Sequence, residues 1–444
     1  MEACSVARMM SLGHLDLGLR ILPKLLALSL GGGSHRRFRK DQPLMHTETV
    51  VETSPELPVD VLVDIFALLE IPDFIRAGSV CSSWRLAYTI LRSQLELYKR
   101  PQTPCLLYTS ESVGDNVACL YSLAEKRVYN VTLPEPPIRS RYLIGSSDGW
   151  LVTADDKSEL HLLNPITGQQ IALPPVSTIE HVEPILDNAG AISKYGLRGQ
   201  GPETYALDDL RDELYFKAFV FPDPSTGRYI VVLVLLLERR LYFARVGDCK
   251  WTSLPPGLDY YKDCIHMDGL LYAFTITGGI DAFDLTGPTI TRNIIADEME
   301  NYRDKDGWYA VQTPCGDLLQ VCRQTVITDE HLMETEKISV YKPDMAAKKL
   351  VKMNGLDDHV LFLGRGQTQC LNAGEYPQLK ANIVYFTDNE AFVSKYKKKD
   401  RDIGILNLEN GEREEIVSKI WCNWPNPIWI TPSITMMNMG YTNS

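Results

Sequence analysis

The spacing of apolar side chains changes character along the chain. From Leu57 to about Arg92 they recur at three- and four-residue steps: Val61, Leu62, Ile65, Phe66 and Leu69, then Phe74, Ile75 and Ala77, then Val80, Trp84, Ala87 and Leu91. That period belongs to helices with one apolar face. Pro58 suits a first helical position and Asp60 a first turn, where the dipole favours an anion. Ile71-Pro72-Asp73 breaks the pattern and restarts it. Three short helices are predicted, too small a set to bury much apolar surface unaided.

Beyond about residue 104 the period shortens. Val-, Leu- and Tyr-rich runs bounded by Gly, Pro, Asn and Asp follow one another, as in Leu160–Leu163, Tyr229–Leu237, Leu241–Val246, Leu270–Thr275 and Ile383–Thr387. These read as short strands joined by turns. The longest apolar run, Ile230 to Leu237, suits one strand buried on both faces and is far too short to cross a bilayer.

The strands also repeat. A Leu-Pro strand end recurs at Leu133-Pro134, Leu173-Pro174 and Leu254-Pro255, separated by 40 and then 81 residues. Turn signatures recur at Asn164–Gly168, Asp223–Gly227 and Asn407–Gly411, and a Gly before an apolar strand at Asp148-Gly149, Asp268-Gly269 and, permuted, Gly316-Asp317. A period of 40 to 50 residues without interleaved helices is the pattern of β-propeller blades, each a small sheet that needs neighbours to cover its faces. The expected architecture is a small all-α module of three helices over residues 55–96, followed by an all-β domain over 104–425, most simply a propeller of about six to eight blades. Residues 426–444 read as a C-terminal tail. Residues 176 to about 213 carry little strand signal and read as a long loop inserted in the array.

Composition narrows the function classes. The 444 residues are 45% hydrophobic and 23% charged, ordinary for a core-forming protein. The 57 acids against 45 bases, a formal charge of −12, argue against broad phosphate-backbone binding, so no nucleic-acid partner is expected. Nor is a membrane partner. Ten cysteines without a Cys-x-x-Cys pair point to a reducing compartment rather than a disulfide scaffold or zinc ribbon. The eight scattered histidines suggest no metal site.

Residues 1–50 form a locally basic extension around His35–Lys40. Two readings stand: a flexible tail carrying the linker Gly31–Ser34, or an organelle presequence with Leu15, Leu19, Leu22, Leu25 and Leu26 on one helical face, against which Pro23 speaks. Cytoplasm and nucleus are the expected locations under the first.

Enzyme signatures mostly fail. Gly145–Gly149 formally matches Gly-x-Ser-x-Gly, but the following Trp150–Ala154 reads as a strand where a nucleophile elbow needs a helix, so a hairpin turn is expected and Ser147 is no nucleophile. Gly364-Arg365-Gly366 lacks the third glycine of a dinucleotide fingerprint. No cofactor is expected. Lys397-Lys398-Lys399 reads as a solvated loop, with nuclear import as the other reading.

The helical segment carries the sharpest motif: Leu57-Pro58, Asp60-Val61-Leu62, Ile65-Phe66, Leu69, Pro72-Asp73-Phe74, Arg76 and Val80-Cys81-Ser82-Ser83-Trp84-Arg85. This resembles the F-box. The region beyond, through Gly149-Trp150-Leu151, Asn164-Pro165 with Thr167-Gly168, Leu173-Pro174-Pro175, Leu361–Gly364 and Cys370–Thr387, resembles plant F-box proteins whose second domain is a kelch-like β-propeller of largely unassigned function. The resemblance implies docking to a Skp-type adaptor and through it to a cullin, with Leu57, Pro58, Val61, Leu62, Ile65 and Val80 as contacts. Phe66, Leu69 and Trp84 would be shared between the contact and the module's own core, and Cys81 would pack as a small hydrophobe. The chain would then be the non-catalytic substrate receptor of a Skp–cullin–F-box ubiquitin ligase, holding an unknown protein target on its propeller. The inserted segment and the aromatics Tyr260, Tyr261 and Trp308 are candidates for that contact. The alternative is a propeller interaction protein outside any ligase, or one sent to an organelle.

Overall fold

The computed structural model describes residues 57–433, apart from 95–96, 99, 200–202, 224–225, 237, 239, 288, 299–306, 328–332, 388–400 and 418–419. The basic N-terminal extension and Lys397–Lys399 lie outside the described residues. The chain separates into two compact units at Lys99/Arg100.

The first unit holds three helices, α1 (Val59–Phe66), α2 (Ile71–Ala77) and α3 (Ser82–Ser93). Pro58 caps α1 and Pro72 sits in the first turn of α2, where a missing amide proton costs nothing. Leu62, Phe66, Ile71, Phe74, Ala77, Ala87 and Leu91 are buried. Phe66 meets Phe74 and Trp84 edge-on at ring separations of 6.3 and 5.2 Å, and the hydroxyl of Tyr98 donates to the carbonyl of Leu69 at 2.5 Å.

The second unit is a β-propeller of six blades among the described residues, each antiparallel but for one parallel pair. Blade 2 runs through Tyr142–Ser147, Trp150–Ala154, Leu160–Leu163 and Gln170–Ala172. Blade 3 comprises Tyr215–Asp223, Arg228–Leu235, Leu241–Arg245 and Thr252–Ser253, and blade 4 Tyr261–Met267, Leu270–Thr275, Ile280–Phe283 and Arg292–Ala296. Blade 5 is built from Gly307–Gln312, Leu318–Ile327, Met333–Asp344 and Lys349–Lys352. Blade 6 has five strands, with Gln369–Asn372 innermost, then His359–Leu363, Ile383–Phe386, Gly404–Asn407 and Arg413–Glu414; its second and third strands run parallel.

Blade 1 unites the two ends of the domain. Cys105–Tyr108, Val117–Ser122 and Arg127–Thr132 are joined on the inside by Ile428–Ile430, which pairs Ile430 with Cys105 and Ile428 with Leu107. The expected tail therefore begins with the strand that closes the ring, since unpaired edges of the first blade would otherwise be left open. Hydrogen bonds run from blade to blade around the circle: Ser146 to the carbonyl of Trp429, Val220 to Ser147 at 3.2 Å, Lys217 to Asp263 at 3.3 Å, Ala310 to Asp263 at 2.9 Å, Arg323 to the carbonyl of Thr387 at 2.6 Å, and Thr431 to Gln369 at 2.7 Å.

Between neighbouring blades lies an apolar layer. Strand Arg228–Leu235 explains the long apolar run: Val231, Leu233 and Leu235 face blade 2 while Ile230, Val232 and Val234 face blade 4, so both faces are dry. Each such side chain contributes roughly 1.5–3 kcal/mol by leaving water.

The repeated sequence motifs take repeated places. Leu133, Leu173 and Leu254 are buried at the ends of outermost strands. Asp148-Gly149 and Asp268-Gly269 turn from first to second strand with φ of 47° and 82°, and 52° and 79°, the left-handed pair a two-residue hairpin demands. The Asn/Asp signatures share one geometry, the amides of Gly168, Gly227 and Gly411 each donating to the carbonyl four residues earlier at 2.9 Å. Their places in the blade differ, because Asp223–Gly227 joins first to second strands and the others join outer strands.

The insertion is not a loop. Val182–Leu186, Ile192–Leu197 and Thr204–Tyr205 form a three-stranded sheet, followed by a short helix at Leu210–Leu214. It is no seventh blade: a Cβ placed on Gly145 of blade 2 would lie 2.0 Å from the carbonyl oxygen of Ala218 in blade 3, so these strands touch directly.

Candidate functional site

In the helical unit the motif residues divide into two sets. Leu62 and Phe66 are closed inside the module, one helical turn apart on the face of α1 that meets α3. Expected among the contacts, Leu62 has no surface to offer; it builds the scaffold, as does Phe66. Pro58 and Val61 stand exposed, and Leu57, Ile65, Leu69 and Trp84 are half-buried. Val80, assigned by periodicity to the apolar stripe of the third helix, is 56% exposed in the connection before it.

Exposed Leu68 and Leu86, at 60% and 51%, were not among the expected contacts. Leu68 could have been found, since Pro58, Val61, Ile65 and Leu68 follow steps of three, four and three and so share one side of α1 and its last turn. Leu86 carries no such signal. Cys81 does not pack inside: it is the exposed N-cap residue of α3, its sulfur 3.2 Å from the Ser83 hydroxyl. Among the described residues the module thus has a closed core and exposed apolar side chains on its flank.

In the propeller, Ser146 and Ser147 both lie buried in the first strand of blade 2, Asp148-Gly149 make the hairpin turn and strand Trp150–Ala154 follows, so Gly145–Gly149 is a strand end and its turn rather than a nucleophile elbow. Two proposed target contacts prove to be interior. Tyr261 is buried and donates to Asp281 at 2.6 Å; Trp308 is buried with its ring 5.5 Å from that of Tyr341. Tyr260 is half-buried. Both interior aromatics stand in innermost strands, flanked by blades on either side. The inserted sheet does present apolar surface, at Ile185 and Leu186.

Buried ion pairs knit the inner strands: Lys217 with Asp263, and Arg323 with Asp402 at 2.7 Å. Burial raises the Asp263 carboxyl, opposed by Lys217 and by the amides of Ala310 and Cys264. At Asp402 burial also acts upward, but Arg323, Thr335 and Arg413 together outweigh it and hold the carboxyl below its ordinary value. Among the described residues no group of three or more His, Cys, Asp or Glu is placed to hold a metal.

Two family models match the chain, F-box-like over residues 54–99 and the KIB1-4 beta-propeller over 120–407. Similar proteins of Arabidopsis thaliana include the Probable F-box protein At4g22165, 26% identical over 86% of this chain and 97% of that one. The Putative F-box protein At4g22180 is 25% identical over 90% and 97%, and the Putative F-box protein At3g25750 is 24% identical over 78% and 90%. With six blades closed by their own C-terminal strand, and a family model covering well over half its length, the chain belongs to the KIB1-4 beta-propeller family, its propeller preceded by an F-box-like domain.

Proposed function

We propose that this protein is the substrate receptor of a Skp–cullin–F-box ubiquitin ligase, its helical module docking to a Skp-type adaptor and its propeller holding a protein target. The reading rests on one observation above others: the F-box-like module closes its core on Leu62 and Phe66 yet leaves Pro58, Val61, Leu68 and Val80 uncovered. Apolar groups at such a density on so small a domain are stabilised by a partner's surface.

The receptor works by proximity. Holding a target near a charged conjugating enzyme turns a bimolecular attack by a lysine into an effectively intramolecular one, and this asks for no catalytic side chain here. The chain would act where the cullin does, in cytoplasm and nucleus.

Capture of a purified Skp-type adaptor and cullin tests this. Val61→Asp/Val80→Asp changes two exposed side chains, so it should keep the melting curve of the wild type and lose the adaptor. Failure of the wild type to bind, or equal binding by the variant, overturns the reading.

A further inference from the structure

The turn Gly364–Thr368 crosses from the second strand of blade 6 to its innermost strand, and there it reaches over to two other blades. The amide of Gln367 donates to the carbonyl of Ser146 in blade 2 at 2.8 Å. Nε of Arg365 donates to the carbonyl of Phe216 in blade 3 at 3.2 Å, and its guanidinium lies 4.8 Å from the centre of the Tyr142 ring in blade 2. The approach depends on two glycines: a Cβ on Gly366 would fall 2.0 Å from the Ser146 hydroxyl, and one on Gly364 2.3 Å from that of Thr387.

Arg365 is 2% exposed, and its two terminal nitrogens are buried with no carboxylate or carbonyl to receive them among the described residues. The Tyr142 hydroxyl is within hydrogen-bonding reach of Arg365, and the hydroxyls of Thr368 and Thr387 are buried without a partner among the described residues. Arg211, Asp212 and Arg365 are the charged groups acting on Tyr142. Arg211 spends Nη1 on the carbonyls of Ser140 and Asp155, at 2.8 and 2.7 Å, while Asp212 supplies the opposing charge. What remains is a buried cation with no carboxylate paired to it among the described residues, where three blades meet.

We propose that this junction of blades 2, 3 and 6 binds a small free oxoanion, of phosphate size, on the two terminal nitrogens of Arg365. A planar guanidinium offers parallel donors to two oxygens of such an anion. The depth of burial excludes a group carried on a peptide. The site does not depend on the ligase reading and stands if that reading fails.

The full chain, desalted into phosphate-free buffer, would be melted against rising sodium phosphate and against sodium chloride at equal ionic strength. The melting temperature of the wild type should climb with the logarithm of phosphate concentration, as it does for any ligand that binds the folded state alone. Arg365→Met should show only the small rise common to any salting-out anion, and Arg198→Met, at an exposed surface pair, should behave as wild type. Equal phosphate response in wild type and Arg365→Met overturns the proposal. Arg365→Lys keeps the cation without the planar fork and covers the case in which Arg365→Met does not fold. Its phosphate midpoint should move about tenfold, and an unmoved midpoint also overturns the site.

Discussion

Replacing Lys217 by Met isolates one buried charge. Lys217 extends from the innermost strand of blade 3 with its ammonium 3.3 Å from Asp263 of blade 4 and 4.8 Å from the centre of the Tyr309 ring of blade 5. Asp263 in turn accepts the amide of Ala310 in blade 5. Both side chains are almost fully buried, so the methionine removes the counter-charge and leaves the carboxylate in place. Breaking such a pair costs about 3–5 kcal/mol. For a cooperative unit of this size that is a fall in melting temperature of about 4–7 °C.

The deficit should depend on pH with a definite sign. Burial already raises Asp263 in the fold, and without Lys217 it rises further. A carboxyl whose folded value lies above its unfolded one adds stability at low pH and loses it as pH rises through the folded value. The variant should therefore approach the wild type near pH 4 and fall behind it toward neutrality. Lys217→Met/Asp263→Asn, which keeps an acceptor for the Ala310 amide, should regain about half the loss. Thermal and urea unfolding from pH 4 to 8 would measure this. A loss under about 1 kcal/mol at pH 7, or one that does not shrink in acid, would refute the argument.

Three further outcomes are expected. Asp402→Asn leaves Arg323 buried without its anion and should cost about 3–5 kcal/mol at pH 7; because the Asp402 carboxyl is depressed, its contribution in the wild type should fade only as pH drops below the ordinary range, which acid unfolding of the two proteins would show. Gly145→Ala sets a methyl against the Ala218 carbonyl, a backbone group that cannot turn aside, and should destabilise by about 2–3 kcal/mol in denaturant titration. Leu62→Ala should cost about 2–5 kcal/mol, unlike Val61→Ala, which should stay within about 0.5 kcal/mol, as melting of the two variants would distinguish.

Much of the ring was legible because blade chemistry is local. Leu-Pro strand ends, Asp-Gly hairpins and the apolar run of blade 3 each act within a few residues, and the helical motif fixed the order of the three helices. Contacts at long range were not. Lys217 and Asp263 are 46 positions apart, Arg323 and Asp402 79, and nothing in either neighbourhood marks a partner. The inserted sheet hid behind Pro184, Gly190 and a mixed polar pattern. Ile428–Ile430 is three residues long between prolines and so resembles a tail. Gly364-Arg365-Gly366 looked like a failed nucleotide motif because its meaning lies in which blades it touches. In the helical module, period alone could not separate Leu62 from Val61, which differ by one step around α1 and by nearly all of their exposure.

Ring closure by Ile428–Ile430 also sets an order in time. The helical module is complete once about residue 100 has left the ribosome, whereas blade 1 lacks its inner strand until residue 430 has emerged. For most of translation the nascent chain therefore carries a finished F-box-like module while the array of sheets is still open. Under the proposed docking role, a message cut short between about codons 100 and 428 would yield a product able to occupy the adaptor without a closed propeller, and so to compete with the intact protein. Proteolysis of ribosome-stalled chains of graded length should find the helical module resistant early and the propeller resistant only in chains that expose residue 430.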